Sequence, residues 1–170
     1  MTDFFCVAKR LLLLFVLFSA GAQAGTSWQT QFSHSLEKLL QTNPQQLHEL
    51  DEPVIVDIYA QDKYKPLWLG AKGPLNRDYE LLSVMLHADD GGLKPSDYYL
   101  EEIKKYWSSK ERDAAIHLEL LLSAALYRYS NHVYSGRFNP RELDVDWHIK
   151  NSTLDVRSLF AAVARKKSIS

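Results

Sequence analysis

Six histidines offer the most obvious metal chemistry in this chain of 170 residues, and their spacing does not support it. His34, His48, His87, His117, His132 and His148 form no H-x-x-x-H pair and no H-E-x-x-H motif, the arrangements that set two imidazoles on one helix face. No metal site and no cofactor is assigned. The serines lack the G-x-S-x-G turn that exposes a nucleophile, and there is neither a phosphate-binding loop nor a dinucleotide fingerprint. Acid pairs remain: Glu49 with Asp51, Asp89 with Asp90, and Glu101 with Glu102. A glycosidase needs two carboxyl groups facing one bond, so a carboxylate-based murein hydrolase is one alternative. Acids at helix starts also favour the helix dipole, and elsewhere they solvate a surface, which explains all three pairs without catalysis. No catalytic residue is assigned.

Thiol chemistry is excluded by position. The single cysteine, Cys6, lies ahead of an apolar run at 11–18 that follows Lys9 and Arg10 and ends in Ala22-Gln23-Ala24. A basic start, a short apolar middle and an A-x-A-like end make a secretory leader, expected to be cut after Ala24. The run is too short for a spanning helix, which needs about 20 apolar residues, so no membrane span is expected after cleavage. The expected product, 25–170, has 146 residues (170 minus 24), no cysteine, and hence neither a disulfide nor a thiolate nucleophile. A periplasmic address fits such a leader. The length suits one domain. Removing Asp3, Lys9 and Arg10 takes the formal charge from −1 to −2, and the charges are interspersed, so nucleic acid is not an expected partner.

Aromatic residues are the remaining binding chemistry. Rings with polar tips suit both sugar stacking and protein interfaces, although in a small helical domain most of them pack the core. Trp68, Tyr98, Tyr129, Arg137 and Trp147 are the candidate binding residues, each with a fold-keeping role as its simpler explanation.

The elements that must position these residues read as helices, because Gly and Pro are few and confined to breaks. The expected fold is mainly α, a compact multi-helix domain. Trp28, Phe32, Leu36, Leu39 and Leu40 predict a helix over 28–41, closed by Asn43-Pro44. Pro53 opens a second, where Val54, Val56 and Ile58 alternate like a strand but Val54, Ile55, Ile58 and Tyr59 also fit a helical stripe. Lys65-Pro66 breaks that run. Asn76 is the expected cap of a helix through 88, with Leu81, Leu82, Met85 and Leu86 inward. Asp90-Gly91-Gly92 ends it, and Ser96 with Asp97 starts a segment reaching Trp107. Ser108 and Glu111 have capping-box spacing before a long helix over 115–134, lined by Leu118, Leu121, Leu122, Ala125, Tyr129 and Val133. Gly136 and Pro140 stop it, and a last helix is expected over 154–167.

Three ordered segments carry a resemblance: Tyr59 through Tyr64-Lys65-Pro66-Leu67-Trp68; Ala88-Asp89-Asp90-Gly91-Gly92-Leu93-Lys94-Pro95-Ser96-Asp97-Tyr98; and Leu126-Tyr127-Arg128-Tyr129 through Gly136-Arg137-Phe138-Asn139-Pro140. With Asp146-Trp147, these resemble the N-terminal scaffold domain of the large periplasmic L,D-transpeptidases, murein-crosslinking enzymes of the YcbB type, over about 53–166. In those enzymes the scaffold precedes a peptidoglycan-binding-like module and a catalytic domain with a serine-histidine-glycine-cysteine motif. That motif is absent from this sequence. The resemblance implies a non-catalytic scaffold acting in cell-wall remodelling, with peptidoglycan, envelope wall-synthesis proteins or a separate or downstream transpeptidase catalytic domain as partners. A fragment of a full-length transpeptidase is the alternative.

Overall fold

The computed structural model describes residues 27–42, 53–135 and 154–166. Within them lie six α-helices and one short antiparallel ribbon: α1 (Trp28–Thr42), α2 (Val54–Gln61), β1 (Leu69–Gly70), β2 (Gly73–Pro74), α3 (Asn76–Leu86), α4 (Leu100–Trp107), α5 (Arg112–Ser135) and α6 (Val156–Arg165). Two 3-10 turns, Ala88–Gly91 and Pro95–Tyr98, join α3 to α4. The domain is mainly α, as expected.

The long helix organises the rest. Every residue from 118 to 126 is buried, because this stretch is apolar on nearly all its faces and a helix of that kind must be enclosed. α1, α2, α3 and α4 all pack on α5. α1 contributes Phe32, Leu36 and Leu40, at a spacing of four. α2 contributes Ile55 and Tyr59 at the same spacing, so the helical period prevails over the alternation of Val54, Val56 and Ile58. Burying side chains such as Leu36, Ile55, Met85 or Ile103 stabilises the fold by about 1.5–3 kcal/mol each.

Several local expectations are corrected. Asn76 does not cap α3 but is its first residue; the cap is Leu75, whose N–H donates to Asp78 Oδ2 at 2.7 Å. An acid in the third position of the helix thus takes over the role expected of Asn76. α3 ends at Leu86, which is exposed rather than inward, and the chain continues as a 3-10 turn to the left-handed Gly92 (φ 74°). The segment from Pro95 to Trp107 is not one helix: Tyr99 adopts φ 56°, ends the 3-10 turn and starts α4 in a new direction. Ser108 ends α4, and it is Ser109 that accepts the N–H of Glu111, at 3.3 Å. Val133 is 61% exposed, because the C-terminal end of α5 rises out of the core. The ribbon pairing Leu69 with Pro74 and Gly70 with Gly73 was not anticipated, its strands being too short to show a period.

α2 ends ahead of Pro66. Lys63 and Tyr64 both take left-handed angles (φ 54° and 55°), at a cost of about 1–2 kcal/mol each for residues with a β-carbon. The turn is closed by the Tyr64 N–H donating to Tyr59 O at 2.7 Å. Its consequence is to send residues 67–69 back across α5. The stops expected at Pro44, Gly136 and Pro140 lie outside the described residues.

Candidate functional site

The segment that turns back at Tyr64 meets a carboxylate. Glu119 lies midway along the buried stretch of α5 with no solvent exposure. Its Oε1 accepts the N–H of Leu67; the Trp68 N–H lies 3.2 Å from both oxygens; the Leu69 N–H donates to Oε2 at 3.1 Å. Tyr59 OH donates to Oε1 at 2.7 Å. One turn further along α5, Ser123 Oγ accepts the Trp68 indole N–H at 2.8 Å and lies 2.7 Å from Tyr59 OH. Since Tyr59 has one proton and gives it to Glu119, Ser123 must donate to the Tyr59 oxygen. A single directed chain follows: indole N–H to serine, serine to tyrosine, tyrosine to carboxylate. Each hydroxyl gives one bond and receives one.

This knot ties α2, the 67–69 segment and α5 together. Burial raises the Glu119 carboxyl, and the Tyr59 hydroxyl and the three backbone N–H groups pull it back, leaving it at about 7 against an ordinary 4.5. The Tyr59 phenol is pushed up by the same burial and by the carboxylate beside it, so it stays a donor.

A second buried acid sits nearby. Asp78 on α3 has no exposure; its Oδ2 accepts the Leu75 N–H, while Oδ1 has no hydrogen-bond partner. Burial raises it to about 8 from 3.8, the Leu75 N–H opposing and the charge of Glu119 adding to the rise. At neutral pH Asp78 is therefore largely a neutral carboxylic acid. Two acids with perturbed affinities are a common mark of catalysis. Here both are enclosed, and the bonds they accept come from within the protein, chiefly from its backbone.

The solvent-facing chemistry lies at the other end of α5. The Pro95–Tyr98 turn and the start of α4 pack against its C-terminal half, and between them opens a groove of about 620 Å³. Tyr98 is fully buried beneath it, edge-on to Tyr129 at 5.4 Å, with its hydroxyl 3.1 Å from His132 Nδ1. The Arg128 guanidinium lies over the Tyr99 ring, 4.6 Å from its centre. Tyr99 is the residue that holds the left-handed angle between the 3-10 turn and α4. Ser96, Asp97, Glu102, Tyr127 and Asn131 also line the wall, so two carboxyl side chains stand beside the guanidinium.

Of the five candidate binding residues, the structure thus brings Tyr98 and Tyr129 together and puts Trp68 apart from them, in the Glu119 knot at 1% exposure. Arg137 and Trp147 lie outside the described residues. Asp89, Asp90, Glu101 and Glu102 are all on the surface, Glu101 holding Lys104 at 2.7 Å, while Glu49 and Asp51 are outside the described residues. The sequence reading missed Glu119, Ser123 and Asp78. One signal pointed to Glu119: it is the lone charge in Leu118-Glu119-Leu120-Leu121-Leu122, and a charge in a helix with no polar face must find partners. Among the described residues no group of three or more His, Cys, Asp or Glu side chains is placed to hold a metal, and no helix is long and apolar enough to cross a membrane.

A family model described as a scaffold domain matches residues 53–170. No curated protein and no solved structure matches the chain.

Proposed function

We propose a positioning role, without bond making or breaking, for this chain, which belongs to the scaffold-domain family. After export through the leader at 1–24, it acts in the periplasm in peptidoglycan remodelling, docking a transpeptidase catalytic domain, another wall-synthesis protein or murein. One observation carries the reading. The two acids with the most altered proton affinities, Glu119 and Asp78, are enclosed, and both accept backbone N–H groups, whereas the groove on α5 offers Tyr127 and a guanidinium stacked on the Tyr99 ring, groups that hold a partner. The link to the cell wall is supported by the resemblance of 59–68, 88–98 and 126–140 to the L,D-transpeptidase scaffold.

The test combines purified chain with purified murein sacculi and, separately, with an isolated L,D-transpeptidase catalytic domain. The expected result is co-sedimentation with sacculi or a stable complex with the catalytic domain, with no new crosslinks and no soluble muropeptides from the chain alone. Crosslinks or released fragments without added enzyme would overturn the reading. So would binding to neither.

A further inference from the structure

A second groove, of about 470 Å³, runs between α2 and α6, on a different part of the surface from the α5 corner. Its floor is apolar: Ile58, Leu67 and Phe160, the last only 4% exposed. Three exposed cations stand along the rim, Lys65, Arg157 and Arg165, against the single carboxylate of Asp62. Asp62 already lies 3.9 Å from Lys65, and Asp155, beside Arg157, is engaged with the N–H and hydroxyl of Ser158. Among the described residues, no ion pair takes up Arg157 or Arg165.

Both arginines lie on α6, eight residues apart, which at 1.5 Å per residue sets their backbone positions about 12 Å apart along the axis. The helix itself is firmly seated. Phe160 and Val163 are buried, and Arg77 Nη1 donates to Val163 O at 3.1 Å, tying the far end of α6 to the start of α3. The backbone positions of the two arginines are therefore fixed beside an apolar trough, while their exposed guanidinium groups are left to reach a partner.

We infer that this groove is a docking site for an acidic amphipathic helix of a partner protein, its apolar face on Ile58, Leu67 and Phe160 and two carboxylates, two helical turns apart, facing Arg157 and Arg165. The fit follows from charge complementarity and spacing. Guanidinium groups pair bidentately with carboxylates. A helix with apolar residues at i, i+3, i+4 and i+7 fills a trough between two helices. Carboxylates seven or eight positions apart on that partner span 10–12 Å, matching the arginines. The inference deepens the positioning role proposed above, and rests on it in supplying the kind of partner.

The test uses the full chain and synthetic helical peptides followed by fluorescence anisotropy. One peptide carries leucines on one face flanked by glutamates two turns apart; its counterparts carry lysines for the glutamates, or serines for the leucines. The glutamate–leucine peptide is expected to bind, more weakly as salt rises, and the other two at least about tenfold less tightly. The double variant R157E/R165E, both positions being exposed, should keep its urea midpoint and reverse the preference to the lysine peptide. Equal binding of acidic and basic peptides would overturn the inference, as would indifference to the double substitution. Tighter binding of soluble muropeptides, displacing the acidic peptide, would assign the groove to murein instead. The direct peptide titrations, run before any muropeptide is added, contain neither sacculi nor enzyme, so their failure alongside intact co-sedimentation or complex formation rejects the groove and leaves the positioning role standing.

Discussion

From 118 to 126, α5 is enclosed at every residue; from 127 to 135 no residue of the same helix is fully enclosed, with Val133 61% and Tyr134 51% exposed. Each half carries polar groups, and their fates differ. In the enclosed half Glu119 and Ser123 meet a full set of donors and acceptors from α2 and the 67–69 segment. In the open half Arg128 stacks on the Tyr99 ring and the part-buried His132 meets the hydroxyl of the buried Tyr98. Polar groups in a dry interior must be paired within the chain, so they become structure, whereas the same groups at a boundary with water remain able to exchange partners. The comparison teaches where to look for function in this domain: along the rims, and away from its most perturbed acids.

The sharpest way to break that comparison is Glu119→Ala. It strips the acceptor from one hydroxyl and three backbone N–H groups at once, and should destabilise the domain by on the order of 4 kcal/mol or more in urea unfolding. A loss under about 1 kcal/mol would mean that the knot does not hold the fold.

The next effect is of pH. Asp78 (3.8 unfolded, about 8 folded) and Glu119 (4.5 unfolded, about 7 folded) both bind protons more tightly in the folded state. Their contribution is fully present below about pH 4 and is lost as pH rises to about 8. Each pH unit over which one proton separates the two states changes stability by about 1.4 kcal/mol, so the fall is steepest between about pH 4.5 and 7, where both acids are protonated in the folded state and ionised in the unfolded one. Asp78→Asn keeps an acceptor for the Leu75 N–H while removing the charge. It should flatten the slope and make the variant more stable than the wild type at pH 8, as read from denaturation midpoints across pH. A slope unchanged by the substitution would remove Asp78 from the account.

Smaller again is Ser123→Ala, which leaves the Trp68 indole N–H without its acceptor inside the core and should cost about 1–3 kcal/mol. Smallest is the paired change V133S/Y134S on the open half, expected to stay within about 0.5 kcal/mol of the wild type because both side chains already face water. A loss above 1 kcal/mol there would erase the distinction between the halves.

Much of the helical plan was legible because long amphipathic stretches repeat a strong signal: α1 and α5 begin and end within a few residues of expectation. The boundaries that failed did so where a single residue decided. Tyr99 splits an expected helix by adopting a left-handed angle, which favours no residue type strongly except glycine. The cap of α3 depends on Asp78 reaching back to Leu75, a contact that competes with the equally plausible capping by Asn76. The site was less legible. Trp68, Tyr98 and Tyr129 stood out by type, but type cannot separate a ring inside the core from one at its edge.

Composition and period alone determined that this chain folds as helices, and most of the stripe that α1 and the first half of α5 turn inward, because burial of apolar surface follows the pattern of the sequence. Tertiary structure decided what Glu119 is. The three backbone donors and the hydroxyl that hold it come from positions 50 to 60 residues away in sequence, and only the folded path past Tyr64 brings them to one carboxylate.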